Sequence, residues 1–153
     1  MTSSVSPVIT TATRADLTDV VALLSAQFEE HRIDAGDIGR GAAGLIDEPS
    51  RGAIFLASLP EDPRRRIGLA VLAFTWTLEH GGQVAWLDEL YVVPALRGAS
   101  VGTTLLEHAL AAARTAGCAA VDLEVDADHR RVEGLYQRKG FTRLDRNRWA
   151  LRL

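Results

Sequence analysis

The chain has 153 residues, a length suited to one domain around a single core, so every motif is read as part of one site. Hydrophobic residues make up 47% and charged residues 24%, the profile of a folded protein rather than of a disordered segment. A net charge of −3 argues against nucleic acid as a partner despite the basic clusters "PRRR" (63–66) and "HRR" (129–131). No apolar run approaches the roughly 20 residues of a membrane helix, and the start "MTSSVSPVITTATR" has neither a basic head nor an apolar signal core. A cytoplasmic location with no membrane partner is therefore expected. Cys118, the single cysteine, excludes an internal disulfide and a cysteine-based zinc site, and reads as a small buried hydrophobe.

In chain order, "VITTAT" (8–13) is β-branched and predicts a strand. Leu17, Val20, Val21, Leu24 and Phe28 then recur at helical spacing, with Thr13 or Asp16 placed to cap the start. The glycine-rich run "DAGDIGRGAAGLIDEPSRG" predicts a loop around a short, weak helix. From 53 to 93 the pattern is strand-like: "AIFLASL", then "RIGLAVLAFTWTLE" and "QVAWLDELYVV" as a long hairpin about Gly81 and Gly82. "SVGTTLLEHALAAARTAG" predicts a helix stopped at Gly117, "AAVDLEVDA" a strand, and "HRRVEGLYQRKG" a helix closed by Gly140. The tail "FTRLDRNRWALRL" predicts two strands about a turn at 145–147, paired within the chain or across a homodimer. The whole is an α+β fold: a mixed, mostly antiparallel central sheet with about four flanking helices. A helical crossover makes the "AWLDELYVV" and "AAVDLEV" strands parallel neighbours.

The stretch "LDELYVVPALRGASVG" (87–102) joins two carboxylates on an apolar strand to a glycine-bearing turn and a helix start. Unpaired amides and the helix dipole at such a start favour an anion, and glycines let a phosphate approach the backbone. The strand acids are costly unless paired or functional.

The block "LYVVPALRGASVGTTLLEHAL", the later "LEVDADHRRVEGLYQRKGF" and the element order together resemble the GNAT (GCN5-related N-acetyltransferase) family, which moves acetyl from acetyl-CoA to amines. The resemblance covers nearly the whole chain. The family cradle reads Arg or Gln, two free positions, Gly, one free position, then Gly or Ala. Here it is Arg97, Gly98, Ala99, Ser100, Val101, Gly102, departing at the inner glycine, where Ser100 stands. The resemblance implies that the backbone of Leu90, Tyr91 and Val92 holds the acetyl carbonyl and pantetheine arm. It further implies that Gly98 to Thr103 hold the pyrophosphate, and that a bulge splays the first parallel strand from the second. Tyr136, in "LYQRKGF", matches a tyrosine near the CoA sulfur; with an ordinary pKa of about 10, a phenol is protonated at neutral pH and can donate to a departing thiolate. Seven positions earlier, where relatives often carry Asn for a cofactor contact, stands His129.

An alkylammonium has no lone pair, so attack on a thioester needs a proton acceptor. Asp88 and Glu89 are the candidates, and strand alternation turns only one of them to the pocket unless a bulge shifts the parity. "AFTWTLEHGGQVAWLDELYV" is similar to the polyamine and diamine branch of the family, which implies Asp88 as the first choice, with Glu124 a third carboxylate on the adjacent strand. Glu30 and other acids of the variable helical region, with Trp76 as an aromatic wall, suit a small cationic acceptor. The expected chemistry is direct transfer in a ternary complex, requiring neither a metal nor a covalent enzyme intermediate. The alternative on the same fold is a non-catalytic acyl-CoA sensor or partner-binding protein, suggested by the departures at Ser100 and His129.

Overall fold

The computed structural model describes residues 4–28 and 33–153. Two compact units divide the chain, residues 1–123 and 124–153. In the first, the strands β1 (Val8–Thr11), β2 (Gly52–Leu59), β3 (Asp62–Thr77), β4 (Gly82–Val92) and β5 (Ala120–Asp122) form one sheet in sequence order. All neighbours are antiparallel except β4 and β5, which are parallel as expected. The helices of this unit are α1 (Leu17–Gln27), α2 (Ala35–Asp47) and α3 (Val101–Thr115). Glycines end two of the turns predicted for them: Gly81 takes φ +69° in the β3–β4 hairpin and Gly117 takes φ +77° after α3.

Two apolar layers cover the sheet. On one face, Val20, Leu23 and Leu24 of α1 and Ile38 and Ala42 of α2 pack with Ile54, Leu56, Leu69, Val71 and Tyr91. From α3, Leu105, Leu106, Ala109 and Ala113 are buried at helical spacing. Burying one such side chain contributes about 1.5–3 kcal/mol, so these stripes outweigh local propensity.

That balance explains a correction. Where a loop around a short, weak helix was expected, α2 runs for 13 residues. Asp34 caps it, accepting from the backbone N–H groups of Gly36 and Asp37, and Ile38 and Ala42 anchor it in the core. The cost of its glycines, about 1 kcal/mol each relative to Ala, is met by tertiary packing.

At the 3-10 turn Arg14–Asp16 that leads into α1, the Thr13 backbone N–H and hydroxyl donate to Asp16 Oδ2 at 2.9 and 3.0 Å. The Thr13 N–H, with Arg66 adding to it, holds the Asp16 carboxyl below its ordinary value. Arg66 belongs to the basic cluster "PRRR", which lies within β3 rather than in a turn. Its guanidinium donates to Asp16 at 2.6 Å, to the buried Ser58 hydroxyl at 2.8 Å and to Asp19 at 3.4 Å. Cys118 is half-buried, not fully buried, with the Gln83 amide 3.6 Å from its sulfur.

The second unit holds a 3-10 stretch over Ala127–Val132, broken at His129, and the short helix α4 (Glu133–Arg138). Gly140 follows with φ +91°. Residues 141–153 form no strand, contrary to expectation, and Trp149, Leu151 and Leu153 are exposed. Alternating apolar and polar residues suit a strand, but without a hydrogen-bonded neighbour the alternation has nothing to pair with. Among the described residues no helix is long and apolar enough to cross a membrane.

Candidate functional site

The register of β4 against β3 breaks at one place. Leu87 pairs with Leu72 and Glu89 with Val71, which leaves Asp88 as an extra residue, a β-bulge. The extra residue resolves the parity question: Asp88 and Glu89 both line one cavity, of about 500 Å³, together with Asp37. Trp86 Nε1 donates to Asp88 Oδ1 at 3.2 Å. Gln27 Nε2, from the end of α1, donates to Glu89 Oε2 at 2.7 Å. Asp88 is exposed and Glu89 half-buried.

Beyond the bulge β4 has a partner on one side only. Among the described residues it pairs with β5 over Val84 to Trp86, whereas Leu90, Tyr91 and Val92 pair with Ala70, Leu69 and Gly68 of β3. The strand edge that faced β5 is therefore open along these residues. Arg97 closes back on the end of the strand, its Nε donating to the Val92 carbonyl at 3.0 Å and its guanidinium lying 5.6 Å from the Tyr91 ring centre.

The turn that follows brings backbone amides to the start of α3. Gly98 has φ +80° and Ser100 has φ +71°, the single left-handed non-glycine among the described residues. The first helical bond runs from the Thr104 N–H to the Ser100 carbonyl, so the amides of Val101, Gly102 and Thr103 precede the intrahelical ladder. Ala99 is buried, and its carbonyl accepts from the Val5 N–H at 3.0 Å, which ties the turn to the N-terminal segment. This arrangement suits an oxyanion at the helix start.

Ser100 does not cap α3 with its side chain. Its hydroxyl gives no return for the left-handed backbone, which costs a residue with a Cβ roughly 1–2 kcal/mol. Ser100→Gly is accordingly expected to stabilise the protein by about 1 kcal/mol, seen as a rise of roughly 2–4 °C in thermal unfolding.

Trp76 and Glu124 do not stand as expected. Trp76 is 74% exposed and lies on the face of β3 opposite Val71 and Ala73; the indole in contact with a cavity acid is Trp86. Glu30 lies outside the described residues. Glu124 is not on a strand, because β5 ends at Asp122, and its carboxylate pairs with Arg148. His129 is half exposed, with Asp126 and Asp128 carboxylates 3.9 and 3.8 Å from Nδ1. Tyr136, on α4, sets its ring edge to face against Phe141, centres 5.7 Å apart. Trp86 and Gln27 escaped the sequence reading. The Trp86–Asp88 spacing of two was a usable signal, whereas nothing local connects Gln27 to Glu89, 62 positions away.

Comparison with known proteins agrees with this geometry. The model of the acetyltransferase (GNAT) family matches residues 17–141. An aminoalkylphosphonate N-acetyltransferase of Salmonella typhimurium is 31% identical over 81% of this chain and 78% of that protein. A mycothiol acetyltransferase of an Arthrobacter species is 35% identical over 82% of this chain, which spans 39% of that longer protein. Among solved structures, an integron cassette protein from a salt-marsh metagenome superposes with a TM-score of 0.81 at 24% identity, over 95% of this chain and 90% of that one. An aminoglycoside N-acetyltransferase in complex with CoA gives 0.80 at 15% identity, over 96% and 95%. The mixed sheet, the bulged β4 and the family match over most of the chain lead to one conclusion: this protein is an acetyltransferase of the GNAT family.

Proposed function

We propose that the protein transfers an acetyl group from acetyl-CoA to a primary amine, directly and within a ternary complex, and that the acceptor is a small cationic amine. The observation that carries this reading is the bulge at Asp88, because it opens the strand edge and turns two carboxylates into one cavity in the same step. The residues present fit acetyl-CoA. The open edge of Leu90 to Val92 offers backbone groups to the acetyl carbonyl and pantetheine arm, and Gly98 to Thr103 offer amides to the pyrophosphate. Arg97 adds a cation beside that turn. Relatives named for aminoalkylphosphonate and mycothiol support a small-molecule acceptor.

Asp88 accepts the proton of the attacking ammonium, directly or through water, with Glu89 beside it. The amine nitrogen bonds to the acetyl carbon, the carbon–sulfur bond breaks, Tyr136 gives its phenolic proton to the departing thiolate, and the second proton shed by the nitrogen restores the phenol through solvent. His129 is a further cofactor contact carried over from the family pattern. Ser100 contributes its left-handed backbone rather than its hydroxyl to the cradle, so Ser100→Gly keeps acetyl-CoA affinity or tightens it; weaker binding would assign the hydroxyl to phosphate.

The deciding experiment incubates the purified protein with acetyl-CoA and a panel of polyamines, diamines, monoamines, amino acids, aminoglycosides and peptide amino termini. Amine-dependent release of CoA thiol is the expected result. Calorimetric binding of acetyl-CoA with thiol release at background for every amine would leave a sensor in place of an enzyme.

A further inference from the structure

The cavity at the bulge combines apolar walls with carboxylates. Its walls come from Leu24 of α1, Ile38 and Leu45 of α2, Ile54 of β2 and Val71 of β3, with Phe28 at the rim. Its polar groups are carboxylates: Asp88 and Glu89 at the bulge and Asp37 on α2. Among the described lining residues there is no lysine and no arginine. Beside the cavity, Gln27 Nε2 donates to the Glu89 carboxylate. An ammonium group, with three N–H donors, complements these acids.

We infer that the acceptor is a singly charged amine with an apolar aliphatic or aromatic body and no anionic group. The inference rests on the acetyl-transfer reading and narrows its substrate class. The ammonium sits at the bulge end, where Asp88 takes its proton, and the hydrocarbon body lies along the α1, α2 and sheet walls. The volume, about 500 Å³, lies in the range of small-molecule sites and exceeds what a bare short amine fills. A phosphonate or carboxylate on the acceptor would be desolvated against apolar walls and set beside the Asp88 and Glu89 carboxylates, and the described Arg40 is already paired with Asp37. The proposed acceptor therefore differs from the one for which the Salmonella relative is named. A second ammonium on a short diamine would find one further described acid, Asp37, and that carboxylate is already paired with Arg40.

The test measures kcat/KM by thiol release along the series ethylamine, butylamine, hexylamine and phenethylamine, with 2-aminoethylphosphonate, alanine and 1,4-diaminobutane alongside. Each added methylene is expected to raise kcat/KM about fourfold until the cavity is filled. Hexylamine and phenethylamine are expected to exceed the aminophosphonate about a hundredfold or more. Leu45→Arg, which sets a cation in the apolar wall, is expected to flatten the methylene series while acetyl-CoA affinity stays unchanged. The wild-type series decides the matter if that variant does not fold. A flat series, or preference for the aminophosphonate, alanine or diamine, overturns this inference and leaves acetyl transfer standing. No thiol release with any amine overturns both.

Discussion

Asp88→Asn is expected to lower kcat/KM for an amine acceptor by about 10²–10⁴-fold, the usual contribution of a positioned general base. The substitution preserves shape, and the amide oxygen can still accept from Trp86 Nε1, so the bulge and the cavity wall persist. The loss should therefore fall on kcat, with acetyl-CoA affinity within about twofold of the wild type and the unfolding temperature nearly unchanged. Glu89→Gln supplies the contrast. Glu89 is half-buried and held by Gln27, so its neutral counterpart is expected to raise the acceptor KM more than it lowers kcat. Loss of activity within tenfold for Asp88→Asn would remove it as the base, and the opposite pattern would transfer the role to Glu89.

Tyr136→Phe is expected to reduce kcat about a hundredfold, with acetyl-CoA binding within about twofold. The ring is retained, so its edge-to-face contact with Phe141 remains, and only the hydroxyl is tested. A thiol has an ordinary pKa near 8.5 and a phenol near 10, so the phenol is protonated whenever the thiolate leaves at neutral pH. Acyl donors with a more acidic leaving thiol need less help and should narrow the gap between variant and wild type. Parallel losses in kcat and in acetyl-CoA affinity would instead assign Tyr136 to packing.

Features encoded by neighbouring residues were the readable ones. The long hairpin followed from two β-rich runs about Gly81 and Gly82, the end of α3 from Gly117, and the parallel pairing of β4 with β5 from an intervening helix. Features set by distant partners were not. The glycines of α2 argue locally for a loop, and only the core beneath Ile38 and Ala42 makes that segment a helix of 13 residues. The alternation of "RWALRL" argues for a strand, and residues 148–153 are not in one. Within the candidate site, the strand acids and the glycine-bearing turn stand out in the sequence because unusual residue types mark them. The bulge was carried over from a family likeness, since alternation alone gives Asp88 and Glu89 opposite faces; pairing with β3 supplies the missing count. Trp76 and Trp86 are the same residue type on adjoining strands, and only the register shows that Trp86 reaches Asp88.

The bulge also says how the acid relates to the rest of the strand. Leu87 and Glu89 face consecutive residues of β3, Leu72 and Val71. Take Asp88 out of the chain and the ladder closes without a gap: every other residue of β4 keeps its partner and its face. The carboxylate is thus an insertion in an otherwise regular strand, and losing or gaining a single codon separates a plain sheet from one that carries an acid at an opened edge. Substitution can change what that residue does, but only its presence as an extra residue keeps the bulge.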